Sequence, residues 1–280
     1  MLDRQLSSPP ALVVVKVGGS LFSDKRQART FDAATLDRYA AAVASLWQAA
    51  PGRVAFVSGG GAFGHDAVRF LDLDDPDATL PLTEAMFTLK WLWTKALRSH
   101  GCRAVPLQVA SLACRDRTGL LRVTDQVPQR LLDHGVLPVL SGDVICGAEG
   151  SLEVLGSDRA AAVLLGMRRG PVRIAMLTDV PGILLDGPGG AEVLREVDPE
   201  CPEPAALAVW ETPPWDTSRS MSGKLEAAIT FSREGAECLI MEGRPSRERL
   251  RLLLDPWEAW PASMPCTRIG PTTTAMASID

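Results

Sequence analysis

The sequence predicts an α/β fold, a three-layer α-β-α sandwich on a mainly parallel central sheet, and three observations carry that expectation. Continuous β-branched and aliphatic runs recur along the 280 residues, they alternate with stretches of helical periodicity, and they end in Gly, Ser or Thr-Asp. A strand covered on both faces reads as an unbroken apolar run, and crossover helices between parallel strands supply the cover. In such sheets ligands bind beyond the carboxyl ends of the strands, where these small residues fall.

The first strand is Ala11-Leu-Val-Val-Val15, set off by a Pro-Pro stop. Arg53–Val57, Val136–Leu140, Val172–Leu177 and Glu237–Met241 follow it. Helical patterns occupy Ala34–Gln48, Thr83–Ser99, Thr124–Asp133, Ser157–Leu165 and Met221–Arg233, so each strand but the last is followed by a crossover. Pro188-Gly-Gly190 and the stretch from Pro199 to Pro214, with five prolines, interrupt this rhythm and read as excursions near the site, not as a domain linker. Within Leu80–His100, Leu82, Ala85, Met86, Leu89, Leu92, Trp93 and Leu97 recur at helical spacing. Most of that stripe reads as core, with a movable lid over the site as the functional expectation.

Composition excludes several classes of protein. With 46% hydrophobic and 22% charged residues the chain is neither disordered nor fibrous. Its 29 Lys+Arg against 34 Asp+Glu leave a net charge of −5, so no global basic field recruits nucleic acid or anionic membrane. The longest apolar run, Ala160–Leu165, is far short of the ~20 residues that span a bilayer. Met1-Leu2-Asp3-Arg4 opens no signal peptide, and a cytoplasmic location is expected. Six cysteines are scattered without C-x-x-C spacing, which predicts buried thiols and neither zinc site nor disulfide framework.

Chemistry concentrates at the strand ends. The first strand runs into Lys16-Val-Gly-Gly-Ser20, where Gly18 and Gly19 let backbone N–H groups approach an anion and Lys16 and Lys25 can converge on it. The second ends in Ser58-Gly-Gly-Gly61-Ala-Phe-Gly-His65, a glycine nest that opens a helix and carries one of only three histidines. His100 and His134, each before Gly at a helix end, read as C-terminal capping cations. Gly156-Ser157-Asp158 lies beside a strand end, where Ser157 or Asp158 could equally cap a helix. Thr178-Asp179 closes the fourth strand, and Asp216-Thr-Ser-Arg-Ser-Met-Ser-Gly-Lys224 sets Lys224 at a helix start, an unfavourable place for a cation unless an anion is present.

In order and spacing these motifs resemble the amino acid kinase superfamily: Lys-x-Gly-Gly-Ser, the glycine-rich second loop, Ser-Asp-x-x-Ala-x-x-Leu, Leu-Thr-Asp-Val-x-Gly-Ile and Met-x-x-Lys span Lys16 to Lys224. Finer similarity is to the fosfomycin kinases, through Gly59–His65, Leu82-Thr-Glu-Ala85, Pro106-Leu-Gln-x-Ala110 and Trp215-Asp216. Isopentenyl phosphate kinases resemble the chain too, in the two early lysines and the Gly-Gly-Gly-x-Phe-Gly-His loop. The chain departs from the superfamily in Gly156 and in Arg219-Ser-Met221, where Asn and Gly-Gly-Met are common.

The resemblance implies one amino acid kinase domain over 1–280, with an acceptor-binding N-terminal lobe of about 1–170 and a nucleotide-binding C-terminal lobe of about 171–280. It implies ATP and Mg2+ as cofactors, few or no protein ligands to the metal, a small phosphonate or phosphate as substrate, and a homodimer. Phosphorylation of fosfomycin, as antibiotic self-protection or resistance, is the expected activity. The alternatives are an isopentenyl phosphate kinase-like enzyme and a non-catalytic binding regulator. Lys16, Lys25 and Lys224 would neutralise the transferred phosphoryl group, with Asp158 orienting the lysines. Gly60, Gly61, Ala62, His65 and Ser157 would hold the acceptor; Gly18, Gly19, Ser20, Thr178, Asp179, Trp215 and Ser218 would hold the nucleotide.

Overall fold

The computed structural model describes residues 9–24, 29–69, 71–166, 170–187, 190–209 and 220–270. The first half contains β1 (Leu12–Val17), α1 (Ala33–Ala49), β2 (Val54–Ser58), α2 (Gly61–Val68), α3 (Leu80–Ser99), β3 (Ala104–Pro106), β4 (Ala113–Arg115), β5 (Leu121–Val123) and α4 (Gln126–Asp133). The second contains β6 (Leu137–Ser141), β7 (Asp143–Cys146), β8 (Leu152–Leu155), β9 (Val172–Thr178), β10 (Glu196–Val197), α5 (Glu203–Ala208), α6 (Ser220–Arg233), β11 (Glu237–Glu242), α7 (Arg247–Arg251) and β12 (Cys266–Ile269).

Eight strands form the main sheet in the order β10-β12-β11-β9-β1-β2-β6-β3, and only the β11–β12 pairing is antiparallel. The central strand β1 is buried along its whole length between β2 and β9, which is why its sequence is continuously apolar apart from Lys16. Its residues divide between two cores by the period-2 rule. Val13, Val15 and Val17 pack under α1 and α3 with Phe56 and Trp93; Leu12 and Val14 pack on the other face with Ala228 and Phe231 of α6. The three layers are therefore those the sequence predicts.

Local chemistry sets the helix ends. Asp32 caps α1 by accepting from the Ala34 and Thr35 amides at 2.9 and 3.1 Å. His100 and His134 occupy the C-cap positions of α3 and α4, as their sequence context predicts. The helix expected over Ser157–Leu165 is shorter: a 3-10 segment spans Ala160–Leu164, and neither Ser157 nor Asp158 caps it. Asp158 is bonded to Lys16 instead, which draws residues ahead of Ala160 away from a helical path.

A second sheet, β5-β4-β7-β8, went unanticipated. Two hairpins, β4–β5 and β7–β8, compose it, and one register pair, Cys114 with Cys146, joins them. The expectation of buried thiols holds for Cys102, Cys238 and Cys266 and fails for Cys114, Cys146 and Cys201, which are exposed. Cys146 closes β7 past Val144 and Ile145, which reach the two cores, and Cys114 is its partner on β4. No helix among the described residues is long and apolar enough to cross a membrane.

Candidate active site

Two glycine loops leave neighbouring strands side by side, because Val17 of β1 is the register partner of Ser58 of β2. After β1, Gly19–Leu21 makes a single 3-10 turn; after β2, Gly59 and Gly60 lead into α2, whose first residue Gly61 has φ +52°. The loops touch backbone to backbone. A Cβ on Gly19 would lie 2.3 Å from the Gly61 nitrogen, and one on Gly59 would lie 2.4 Å from the Gly19 nitrogen. Ser23 staples them together, its Oγ donating to the Gly19 carbonyl and accepting from the Ala62 amide, both at 2.9 Å.

These loops line a cleft of about 140 Å³ at the carboxyl edge of the main sheet. Lys16 projects from the end of β1, is buried, and donates from Nζ to Asp158 Oδ1. Asp158 arrives with Gly156 and Ser157 from the end of β8, and Lys224 enters from α6. His65, also buried, stands on α2 behind the second glycine loop. Gly142 lets β6 and the end of β8 close on each other: a Cβ there would meet the Leu155 oxygen and the Ser157 nitrogen at 3.0 Å.

A buried polar network supports this wall. Asp143 accepts from Gln108 Nε2 at 2.9 Å and from the Ala110 and Val144 amides at 3.0 Å. Lys90, fully buried on α3, donates to Gln108 Oε1 at 2.6 Å and to the Leu107 carbonyl at 3.0 Å. Burial pulls the Lys90 pKa below its ordinary value, and the Asp143 carboxylate opposes that shift. Apolar side chains, Val68, Leu82, Met86 and Val154, also line the cleft, with Met86 against Gly60 and Gly64.

The cleft thus gathers Lys16, Gly18, Gly19, Ser20, Gly60, Gly61, His65, Ser157, Asp158 and Lys224. It does not gather Ala62, whose side chain is buried and whose amide is committed to Ser23. Thr178 and Asp179 also stand off it: they sit at the end of β9 behind Gly18, with Thr178 Oγ1 donating to Asp179 Oδ1 at 3.0 Å. Lys25, Trp215 and Ser218 lie outside the described residues, as does Arg219. Among the described residues no group of three or more His, Cys, Asp or Glu converges as a metal cage. Sequence reasoning assigned no role to Ser23, Asp143, Val68 or Val154, and named Leu82 and Met86 only within the Leu80–His100 stripe. Ser23 lies three residues beyond Ser20 of the first glycine loop, and Asp143 three residues beyond the apolar run Val136–Leu140, so those two carried a positional signal.

Known proteins supply an independent comparison. Residues 11–242 match the model of the amino acid kinase family. An isopentenyl phosphate kinase of Haloferax volcanii is 33% identical over 227 residues, covering 79% of this chain and 88% of the relative. That of Methanothermobacter thermautotrophicus is 25% identical over 245 residues, covering 82% and 90%. In structure, the T. acidophilum isopentenyl phosphate kinase product complex matches with a TM-score of 0.65 at 21% identity, over 92% of this chain and 99% of that one. None of these three is a fosfomycin kinase, so they support the wider resemblance and leave the finer one without their backing. With its glycine loops, buried lysine and sheet order in agreement with a match that spans most of its length, the chain belongs to the amino acid kinase family and is a phosphotransferase.

Proposed function

We propose that the protein transfers the γ-phosphoryl group of ATP to the phosphate of a small monoester with a short apolar tail, of the isopentenyl phosphate type. The apolar part of the cleft lining carries this reading: together with His65 and Gly60-Gly61, which suit a phosphate, the cleft presents Val68, Leu82, Met86 and Val154, which suit a hydrocarbon. The family relatives named above point the same way.

A phosphate monoester oxygen is already anionic at neutral pH, so this chain needs no general base. Its task is positioning and charge neutralisation. Lys16 and Lys224 would face the transferred group, joined by Lys25, with Asp158 holding the Lys16 ammonium in place. The first glycine loop and the C-terminal lobe, about 171–280, would take the nucleotide; the second loop, His65 and Ser157 in the lobe of about 1–170 would take the acceptor. The residues fit a polyphosphate, since two cradles that exclude a Cβ face buried lysine. Magnesium would enter on phosphate oxygens and neutralise charge there.

Fosfomycin phosphorylation is the second reading, favoured by the Leu82–Ala85 and Pro106–Ala110 motifs, the latter of which supplies the Gln108 and Ala110 bonds to Asp143. The two separate on acceptor choice. Burial contributes about 0.8 kcal/mol per CH2, so burying most of a five-carbon tail is worth about 3 kcal/mol, or roughly a hundredfold in kcat/KM. Purified protein with ATP and magnesium should therefore prefer isopentenyl phosphate to inorganic phosphate by about that factor, and to fosfomycin, whose three-carbon epoxide also buries apolar surface, by a smaller one. Preference for fosfomycin would replace the first reading with the second.

We also propose that two copies pair through α3. Its exposed stripe is Leu80, Glu84, Phe87, Trp91, Lys95 and Arg98, acidic toward the N-terminus, aromatic at the centre and basic toward the C-terminus. Laid antiparallel on itself about a twofold axis, that stripe sets Phe87 on Trp91 and Glu84 on Lys95.

A further inference from the structure

We infer that Cys114 and Cys146 form a reversible dithiol–disulfide pair that couples the two hairpins of the small sheet beside the acceptor end of the cleft. The single register pair between β4 and β7 is these two residues. Direct partners on adjacent parallel strands project to the same face, and strands are spaced by about 4.8 Å. That spacing lies inside the Cα separation of roughly 4.4–6.8 Å that a disulfide accepts. Both thiols are exposed and reduced, so a small oxidant can reach them.

Its consequence for the site follows from the hairpin β7–β8. The roots of that hairpin, Gly142-Asp143 and Gly156-Ser157-Asp158, line the cleft, and Val154 is among its apolar lining residues. Val154 shares a face with Cys146, because Val144 pairs with Val154 and Cys146 with Leu152. In the reduced protein β4 holds the hairpin at one ladder position, together with the Arg115–Glu153 ion pair at 2.7 Å. Oxidation adds a covalent tie at that position and stiffens the wall bearing Val154. The chemistry balances with hydrogen peroxide as oxidant: both S–H bonds and the O–O bond break, one S–S bond forms, and two waters leave. A low-molecular-weight disulfide serves equally, leaving as two thiols, and a dithiol reverses either reaction.

The test is direct. Native labelling with a maleimide should modify three cysteines in the reduced protein, Cys114, Cys146 and Cys201, and only one after hydrogen peroxide treatment. Peptide mapping should find Cys114 linked to Cys146 within one chain, with the loss of two hydrogens, and dithiothreitol should restore both labels. Cys114→Ser or Cys146→Ser should abolish the link, while Cys201→Ser keeps it. Hydrogen exchange along β7–β8 should slow on oxidation, and the acceptor KM should change while the ATP KM does not. The KM arm rests on the acceptor assignment above; the mapping and exchange arms do not, so inactivity toward every acceptor would sink that assignment alone. Peroxide-treated protein that keeps three labelled thiols, or links either cysteine to Cys201 or to a second chain, would overturn the proposal. A correct link that leaves exchange along β7–β8 unaltered would overturn its coupling role.

Discussion

Gly19 and Gly59 have no room for a methyl group, because each would press it into the backbone of the opposite loop and not into a yielding side chain. Gly59→Ala is expected to cost at least about 1–3 kcal/mol, the range for overpacking, and to lower turnover by separating the loops. Gly156→Ala in the same cleft meets nothing within 4 Å and should leave stability nearly unchanged in denaturant unfolding. Lys224→Ala should keep the fold and reduce kcat by roughly 10²–10³, the scale for removing one donor to developing charge. His65→Ala should raise the acceptor KM far more than the ATP KM; the reverse result would exchange the two loops' ligands. Lys16, the glycines, His65 and Lys224 were legible because charge and glycine next to a strand end are unusual in sequence. Val68 and Val154 were not, and Leu82 and Met86 stood out only within a stripe that is mostly core, since an apolar side chain reads the same whether it meets core or ligand.

At the scale of the element, α3 shows how far periodicity reaches. Its apolar stripe is mostly core, as expected: Trp93 is fully buried between Phe22 and Phe56, with ring centroids at 5.2 and 4.8 Å. Only Leu82 and Met86, near the N-terminal end, line the cleft, so any lid movement is expected to be confined to that end. Hydrogen exchange on binding ATP and acceptor should slow around residues 80–88 and stay unaltered around 90–99. Trp93→Ala should cost about 3–5 kcal/mol, as deletion of a buried aromatic does. Trp91→Glu, on the exposed stripe, should leave the unfolding midpoint of the monomer within about 0.5 kcal/mol of wild type yet halve the mass measured by light scattering. A wild type that is monomeric at micromolar concentration would remove the α3 pairing.

Over the whole molecule, the parallel core was legible and the appended sheet was not. Five of the eight main strands were read from apolar runs, all with helices between them, whereas β4 and β5 are three residues each and too short to show alternation. Buried titratable groups give the fold a pH signature on its alkaline side. Burial raises Cys102 from 9.0 to about 12, Cys266 from 9.0 to about 11 and Tyr39 from 10.0 to about 12, and it raises Cys238 as well. In each case the unfolded chain releases its proton first, so stability is complete below pH 9 and declines as pH rises through the folded values. Melting temperature should fall progressively from about pH 9, and Cys102→Ala should give a shallower decline whatever its offset at neutral pH. Parallel curves for the two proteins would remove Cys102 from that account.

The pairing of Val17 with Ser58 turns the sheet into a gauge. On the proposed reading one cradle grows from each strand, so the gap between the giving and receiving anions would be tied to the hydrogen-bond spacing of two β-strands, about 4.8 Å, a length set by backbone pairing and not by the apolar side chains of the cleft. The apolar residues that would sort one tail from another belong to α2, α3 and β8, none of which sets that gap. If that reading holds, a change of clientele could proceed by exchanging Val68, Leu82, Met86 or Val154 while the distance over which phosphorus travels stays as the backbone made it.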